Sequence, residues 1–251
     1  MKRFVGFMCT LLLTANPSVA QNNVDGFVAR VYKDQSPAMP YRLFIPKGYE
    51  QSQKYPLILW LHGAGSVGKD NLKQISGASR LGTHIWTTPE NQAKHPAFVV
   101  APQCPQNAGC WDDGRTNEPG RYLLAVVKIL NALQTEFSID SARIYVAGQS
   151  MGGYGTWDLI TKRPDLFAAA IPLCGGGNAA LAAAVRRMPI WAFHGDADPT
   201  VPVGLSRRMI AAIEQAGGHP RYTEYKGVGH NVWERAFTEP ELMDWLFSQR
   251  K

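Results

Sequence analysis

Ile144-Tyr145-Val146-Ala147-Gly148-Gln149-Ser150-Met151-Gly152-Gly153-Tyr154 holds an apolar run, a serine between glycines and the start of a helical pattern. Gly148 to Gly152 fit G-x-S-x-G. The apolar run predicts a strand over 144–147, and the pattern after it predicts a helix over 150–161, stopped near Pro164. Glycines on either side let the chain reverse sharply without Cβ clashes, which would leave the Ser150 hydroxyl at the end of a buried strand. The plainer alternative is a glycine-rich turn with no chemistry. The strand before it and the helix after it favour a nucleophile.

Working outward, 57–61, 98–101, 168–173 and 190–193 are apolar runs that suit strands covered on both faces. Residues 27–31 and 41–45 read as an opening pair of strands, and 221–225 as a last one. Leu124, Val127, Leu130 and Leu133 recur at helical spacing within 121–137. Further helices are predicted over 178–187, 203–216 and 240–249. Strands alternating with helices from residue 57 onward predict an α/β fold, with a mostly parallel central sheet and helices on both faces. Only the Ala-rich 178–187 separates the strands at 168–173 and 190–193, so no large lid domain is expected.

A serine hydroxyl is a weak nucleophile and needs a base held by an acid. His230 follows the last strand, in Gly227-Val228-Gly229-His230. Asp196 and Asp198 follow the strand at 190–193. Asp198, farther from the strand end, is the expected acid, and Asp196 is expected to brace its loop through backbone bonds. His194 is expected to order the same loop, and His84, His95 and His219 to lie at the surface. An oxyanion needs backbone N–H donors. Met151 N–H follows the serine, and Ala64 N–H, with Gly63 as the alternative, is expected from Leu61-His62-Gly63-Ala64-Gly65, where His62 would orient the loop. The glycines there also suggest a phosphate cradle, but Lys69 is followed by Asp70 rather than Ser or Thr, which is not a P-loop.

The chain has 251 residues, 45% hydrophobic and 18% charged, a globular balance. Lys2 and Arg3, an apolar run to Leu13, Pro17 and Ser18-Val19-Ala20 predict a cleaved signal peptide over 1–20. The apolar run is too short for a membrane span. The rest, 21–251, reads as a single catalytic domain, exported to the periplasm or beyond. Cleavage removes two positive charges and no negative ones, so the net charge falls from +6 to +4. Scattered basic residues and export argue against nucleic acid or a membrane as partner. Cys104 and Cys110 bracket a loop of turn-formers and are expected to pair in an oxidising compartment. Cys174 is expected to be a buried thiol.

Leu61–Gly65, Gly148–Gly153, His194–Pro202 and Gly229–Trp233 together resemble the α/β-hydrolase superfamily. Within it the chain resembles the secreted esterase and depolymerase group: feruloyl and acetyl-xylan esterases, polyhydroxybutyrate-depolymerase-like proteins and phospholipase/carboxylesterase-type enzymes. The resemblance covers residues 27–249. It implies Ser150, Asp198 and His230 as a triad, an acyl-enzyme on Ser150, and no cofactor or metal. The expected substrate is a bulky or polymer-linked ester. A second reading comes from poly(aspartic acid) hydrolases, which cleave amide bonds of an acidic polymer with the same triad. A non-catalytic binding protein on the same scaffold is a third, which the complete triad disfavours. The loop 103–120 should overhang the site, so Trp111 could stack a ring or anchor the loop under the Cys104–Cys110 bridge, and Arg115 could hold a carboxylate. Trp233 could wall the site, and Trp86 and Arg80 complete the candidates.

Overall fold

The computed structural model describes residues 22–33, 38–105, 110–111 and 118–251. The predicted signal peptide and Arg115 lie outside them. Strands β4 (Tyr55–Leu61), β5 (Phe98–Pro102), β7 (Ala169–Leu173) and β8 (Trp191–Gly195) are buried at every position. Being covered on both faces, they carry continuous apolar runs rather than alternation. Alternation survives in where the side chains go. Leu57, Leu59 and Leu61 join the core on one face of the sheet, and Ile58 and Trp60 the core on the other.

These strands belong to one sheet with β1 (Asn23–Val24), β2 (Phe27–Tyr32), β3 (Met39–Phe44), β6 (Ile139–Gln149) and β9 (Arg221–Tyr225). The order is β1-β2-β3-β5-β4-β6-β7-β8-β9. β1, β2, β3 and β5 pair antiparallel, and every pairing from β5 through β4 to β9 is parallel. The fold is the α/β-hydrolase fold. α3 (Arg121–Glu136), α4 (Met151–Lys162) and α5 (Gly204–Gln215) cover one face, with Leu123, Trp157 and Met209 in its core. The other face is covered by α1 (Arg80–His84), α6 (Trp233–Ala236) and α7 (Leu242–Ser248), α1 lying close over Trp60. α2 (Pro89–Lys94) leads into β5. Full burial of side chains such as Leu57 or Phe98 is worth about 1.5–3 kcal/mol each, which makes the two cores the main support of the sheet.

Three segments differ from the sequence reading. Residues 64–97, to which the sequence reading assigns no helix, form short 3₁₀ turns with α1 and α2, with Ile75 and Trp86 reaching the core. β6 begins five residues before its apolar run, since Asp140 and Arg143 satisfy each other at 2.8 Å beside the sheet. The Ala-rich stretch is a 3₁₀ helix, Ala179–Val185, rather than an α-helix. Its bonds run Leu181 N–H to Asn178 O, Arg186 N–H to Ala183 O and Met188 N–H to Val185 O, and Pro189 then stops it.

The order fixes where a site can form. β4 lies between β5 and β6. The chain leaves β4 toward β5 and leaves β6 toward β7, so the loops after β4 and β6 diverge and open a crevice at their carboxyl ends.

Candidate active site

Ser150 stands between β6 and α4 with φ 56° and ψ −118°, a conformation that L-residues rarely adopt. Two glycines make it possible by close approach. A Cβ on Gly148 would collide with the carbonyl of Gly152, and one on Gly152 with the carbonyl of Leu61. The turn is therefore pressed against β4, and Ser150 N–H donates to Leu173 O of β7 at 2.9 Å. The hydroxyl is held at the crevice by three adjacent strands.

The loop after β9 brings His230 to it. His230 Nε2 lies 2.7 Å from Ser150 Oγ, and His230 Nδ1 lies 2.6 Å from Asp198 Oδ2. The serine hydroxyl donates to Nε2 and Nδ1–H donates to the carboxylate, which fixes the tautomer. Asp198 Oδ1 accepts the backbone N–H groups of Thr200 and Val201 at 2.8 and 2.9 Å. Burial pushes the Asp198 carboxyl up. The His230 bond and the two backbone donors outweigh that and hold it below the usual carboxylate value. The Asp198 side chain is wholly buried, whereas His230 keeps 20% of its exposure. Asp196 turns away and accepts Gly227 N–H at 2.6 Å, tying the acid loop to the turn before His230.

The loop after β4 lies against the serine: a Cβ on Gly63 would sit 3.5 Å from Ser150 Cβ. Ala64 opens a 3₁₀ turn and Met151 opens α4, so both N–H groups stand at helix starts, where no intrahelical acceptor exists. His62 is completely buried beneath this loop. Its Nε2 accepts Cys104 N–H at 3.0 Å, so its Nδ1–H donates to Gly63 O at 2.7 Å. Burial pushes its pKa down to about 4, keeping the ring neutral. Cys104 and Cys110 are disulfide-bonded, with Cα atoms 6.0 Å apart, and Cys174 is free and buried.

A hydroxyl, an imidazole and a carboxylate in line, beside two backbone N–H groups at helix starts, is an arrangement suited to acyl transfer. The family model for Esterase matches residues 36–239. The chain belongs to this esterase family. Relatives within reach of the family include a protein described as "Probable feruloyl esterase C" from Aspergillus terreus, 31% identical over 71% of this chain and 62% of its own length. A solved "Thermostable Esterase" superposes with a TM-score of 0.85 at 42% identity, over 90% of this chain and 64% of that one. "Poly(3-hydroxyalkanoate) depolymerase C" of Paucimonas lemoignei is 31% identical over 48% of this chain and 28% of its own. The chain thus spans under two thirds of the length of these relatives.

The remaining candidates divide sharply. Of the two roles expected for Trp111, the structure favours the anchor over the stacking platform: its side chain is fully buried, not open to a substrate ring. Its Nε1–H donates to His62 O at 2.9 Å, its ring meets His62 edge-on at 5.1 Å, and a Cβ on Gly155 of α4 would collide with it. It is an anchor under the loop after β4. Trp86 is likewise buried, against Phe237, and Arg80 is engaged with Asp25 at 2.6 Å. Trp233 is half-buried and meets the His230 ring edge-on at 5.8 Å. Cys174 was not expected near the serine. Its thiol, an Asp198 oxygen and a His230 nitrogen lie within 4.8 Å of one another, and burial raises the thiol to about 12. Its φ of 39° is the trace of that placement, which no local sequence pattern carries.

Proposed function

We propose that this esterase is an exported serine hydrolase that cleaves the carboxyl ester of a bulky or polymer-linked substrate through an acyl-enzyme on Ser150. The observation that carries the reading is the unbroken chain from Ser150 Oγ through His230 to Asp198, at 2.7 and 2.6 Å. In the first half-reaction Ser150 Oγ attacks the ester carbonyl while His230 Nε2 takes its proton. The carbonyl oxygen becomes an oxyanion facing Met151 N–H and Ala64 N–H. Collapse expels the alkoxide, which leaves as the alcohol with the proton from His230. Water then attacks the acyl-enzyme, giving its proton to His230, and the acid departs as Ser150 recovers its hydrogen. Asp198 stays ionised throughout and holds the imidazolium that forms in each half.

An ester is preferred to an amide because the family and two of the relatives named above are described as esterases. A bulky substrate is supported by the short connection between β7 and β8, where only a 3₁₀ turn stands in place of a covering domain. Trp233 beside His230 supplies an apolar wall, and Arg115 is the proposed contact for a substrate carboxylate. Export is supported by the leader pattern and the disulfide. Among the described residues, no helix is long and apolar enough to cross a membrane.

The test is turnover of p-nitrophenyl acetate, feruloyl and acetyl sugars, polyhydroxybutyrate and poly(aspartate) by the wild type and by Ser150→Ala. The expected result is ester turnover that Ser150→Ala abolishes. Turnover of poly(aspartate) alone, or full activity without Ser150, defeats the reading.

A further inference from the structure

Asp198 Oδ2 has a second imidazole beside it. His194 Nε2 lies 3.4 Å from the same oxygen that His230 holds, and both side chains of this second pair are completely buried. His194 is the penultimate residue of β8, four residues before the acid. Its Nε2 also lies 3.0 Å from Val201 O, and its Nδ1 lies 2.8 Å from Ser206 Oγ of α5. A carbonyl only accepts, so Nε2 carries a hydrogen, shared between Val201 O and the field of the carboxylate. Ser206 Oγ is in turn 2.9 Å from Gly175 O, in the loop after β7. Ser206 thus stands between the loop after β7 and His194, and His194 in turn contacts Val201, whose N–H binds Asp198 Oδ1.

We infer that His194 is a positioning residue for the catalytic acid: it fixes the Asp198 carboxylate against His230 through its hold on Val201 and Ser206. This rests on the triad reading above. The two histidines divide the work on one carboxylate. His230, partly exposed, exchanges protons with substrate; His194, sealed from solvent, keeps a fixed hydrogen-bonding state. Burial lowers its pKa, so it stays neutral and does not compete with His230 as a cation. Ser206 has one proton and two acceptors within reach, Gly175 O at 2.9 Å and His194 Nδ1 at 2.8 Å, so the two share a single donor.

The titratable and charged groups around His194 are few. Asp198 and His230 come from the loops after β8 and β9. Glu224 stands opposite His194 in the β8–β9 ladder, already paired with Arg207 and Tyr222. Cys174 ends β7 as a neutral thiol.

The test compares His194→Leu, His194→Gln and Ser206→Ala, with Asp198→Asn as reference, by kcat, KM and the acid limb of kcat/KM. A buried leucine fills the space but releases the acid loop. The expected fall in kcat is about 10–100-fold with KM unchanged, as for a small misplacement of a catalytic group. With Asp198 less firmly on His230, the acid limb should move down by about 0.5–1 pH unit. His194→Gln can donate to Val201 O and accept from Ser206, so it should stay within about threefold of wild type and keep the acid limb. Adding His194→Leu to Asp198→Asn should cost nothing more, because the effect runs through that carboxylate. Losses that add in the double variant, or a folded His194→Leu with wild-type kcat and acid limb, overturn the inference. Should His194→Leu fail to fold, Ser206→Ala decides: a kcat loss of about 2–5-fold with the same downward limb supports it, and wild-type behaviour overturns it. Wild-type kcat in Asp198→Asn would instead sink the triad reading itself.

Discussion

The loops after β4 and β9 both meet the serine, and each carries a histidine that it treats in the opposite way. His62 is sealed, with both ring nitrogens committed to backbone groups of its own loop and of Cys104. His230 is partly open, and both of its nitrogens face side chains that can move protons. The same residue type is a peg in one loop and the proposed base in the other. What separates them is the partners: backbone carbonyls and amides cannot change protonation near neutral pH, whereas a serine and a carboxylate frame a proton path.

The largest effect that this contrast predicts is kinetic and belongs to one loop only. His230→Ala should lower kcat by about 10⁴-fold or more while leaving the melting temperature close to wild type. His62→Ala should do the reverse. It leaves Cys104 N–H and Gly63 O without their buried partner, at roughly 1–3 kcal/mol each, and its kcat loss should stay within the roughly 10²–10³-fold of a disturbed oxyanion donor. Steady-state kinetics beside thermal melts of the folded variants measure both. Equal kcat losses in the two variants would erase the distinction.

A middle-sized effect comes from pH. His62 binds a proton near 6.5 when unfolded and only near 4 when folded. The unfolded state therefore takes up the extra proton between those values. The His62 contribution is whole above 6.5 and is lost as pH falls toward 4, roughly 3 kcal/mol in all. Denaturant midpoints should fall across that window in the wild type and flatten in His62→Asn. A wild-type slope that survives in His62→Asn assigns the acid sensitivity elsewhere.

The smallest effect is redox. The Cys104–Cys110 bridge closes a short loop, so its reduction should cost about 1–3 kcal/mol, less than a bridge over a long loop. Cys104 also donates its N–H to His62, so reduction should sharpen the acid sensitivity of the His62 loop. Thiol counts on a denatured chain beginning at Gln21 should give one free thiol before reduction and three after. Three before reduction would remove the bridge.

The residues that meet at the serine could be read from the chain because each sits where a strand has just ended and glycine or proline allows a turn. Ser150 lies between Gly148 and Gly152, His230 after Gly229, and Asp198 before Pro199. Short polar loops after buried runs point to one edge of a parallel sheet, and a parallel sheet gathers those edges. Trp111 could not be read that way. Its direction is set by the space that Gly155 leaves on α4, more than forty residues on, and no period in the loop encodes it. His194 and Cys174 look like ordinary strand ends, and only the packing of β7 against β8 brings them to the acid. The 3₁₀ turn at 179–185 was missed for a similar reason: alanine favours a helix, but the sequence does not say how tightly the ladder winds when proline arrives so soon.

That turn separates shape from chemistry. Ala179, Ala180, Ala183 and Ala184 are exposed, while Ala182 and Val185 alone tie the segment to the core. The closure entropy of a flexible segment grows only by about 0.6 kcal/mol for each doubling of its length. A graft placed there, a cap that narrows the crevice or a module that grips a polymer chain, can enlarge the molecule at little thermodynamic cost. New selectivity can thus be installed as a modular part, while the strands that aim Ser150, Asp198 and His230 stay as they are.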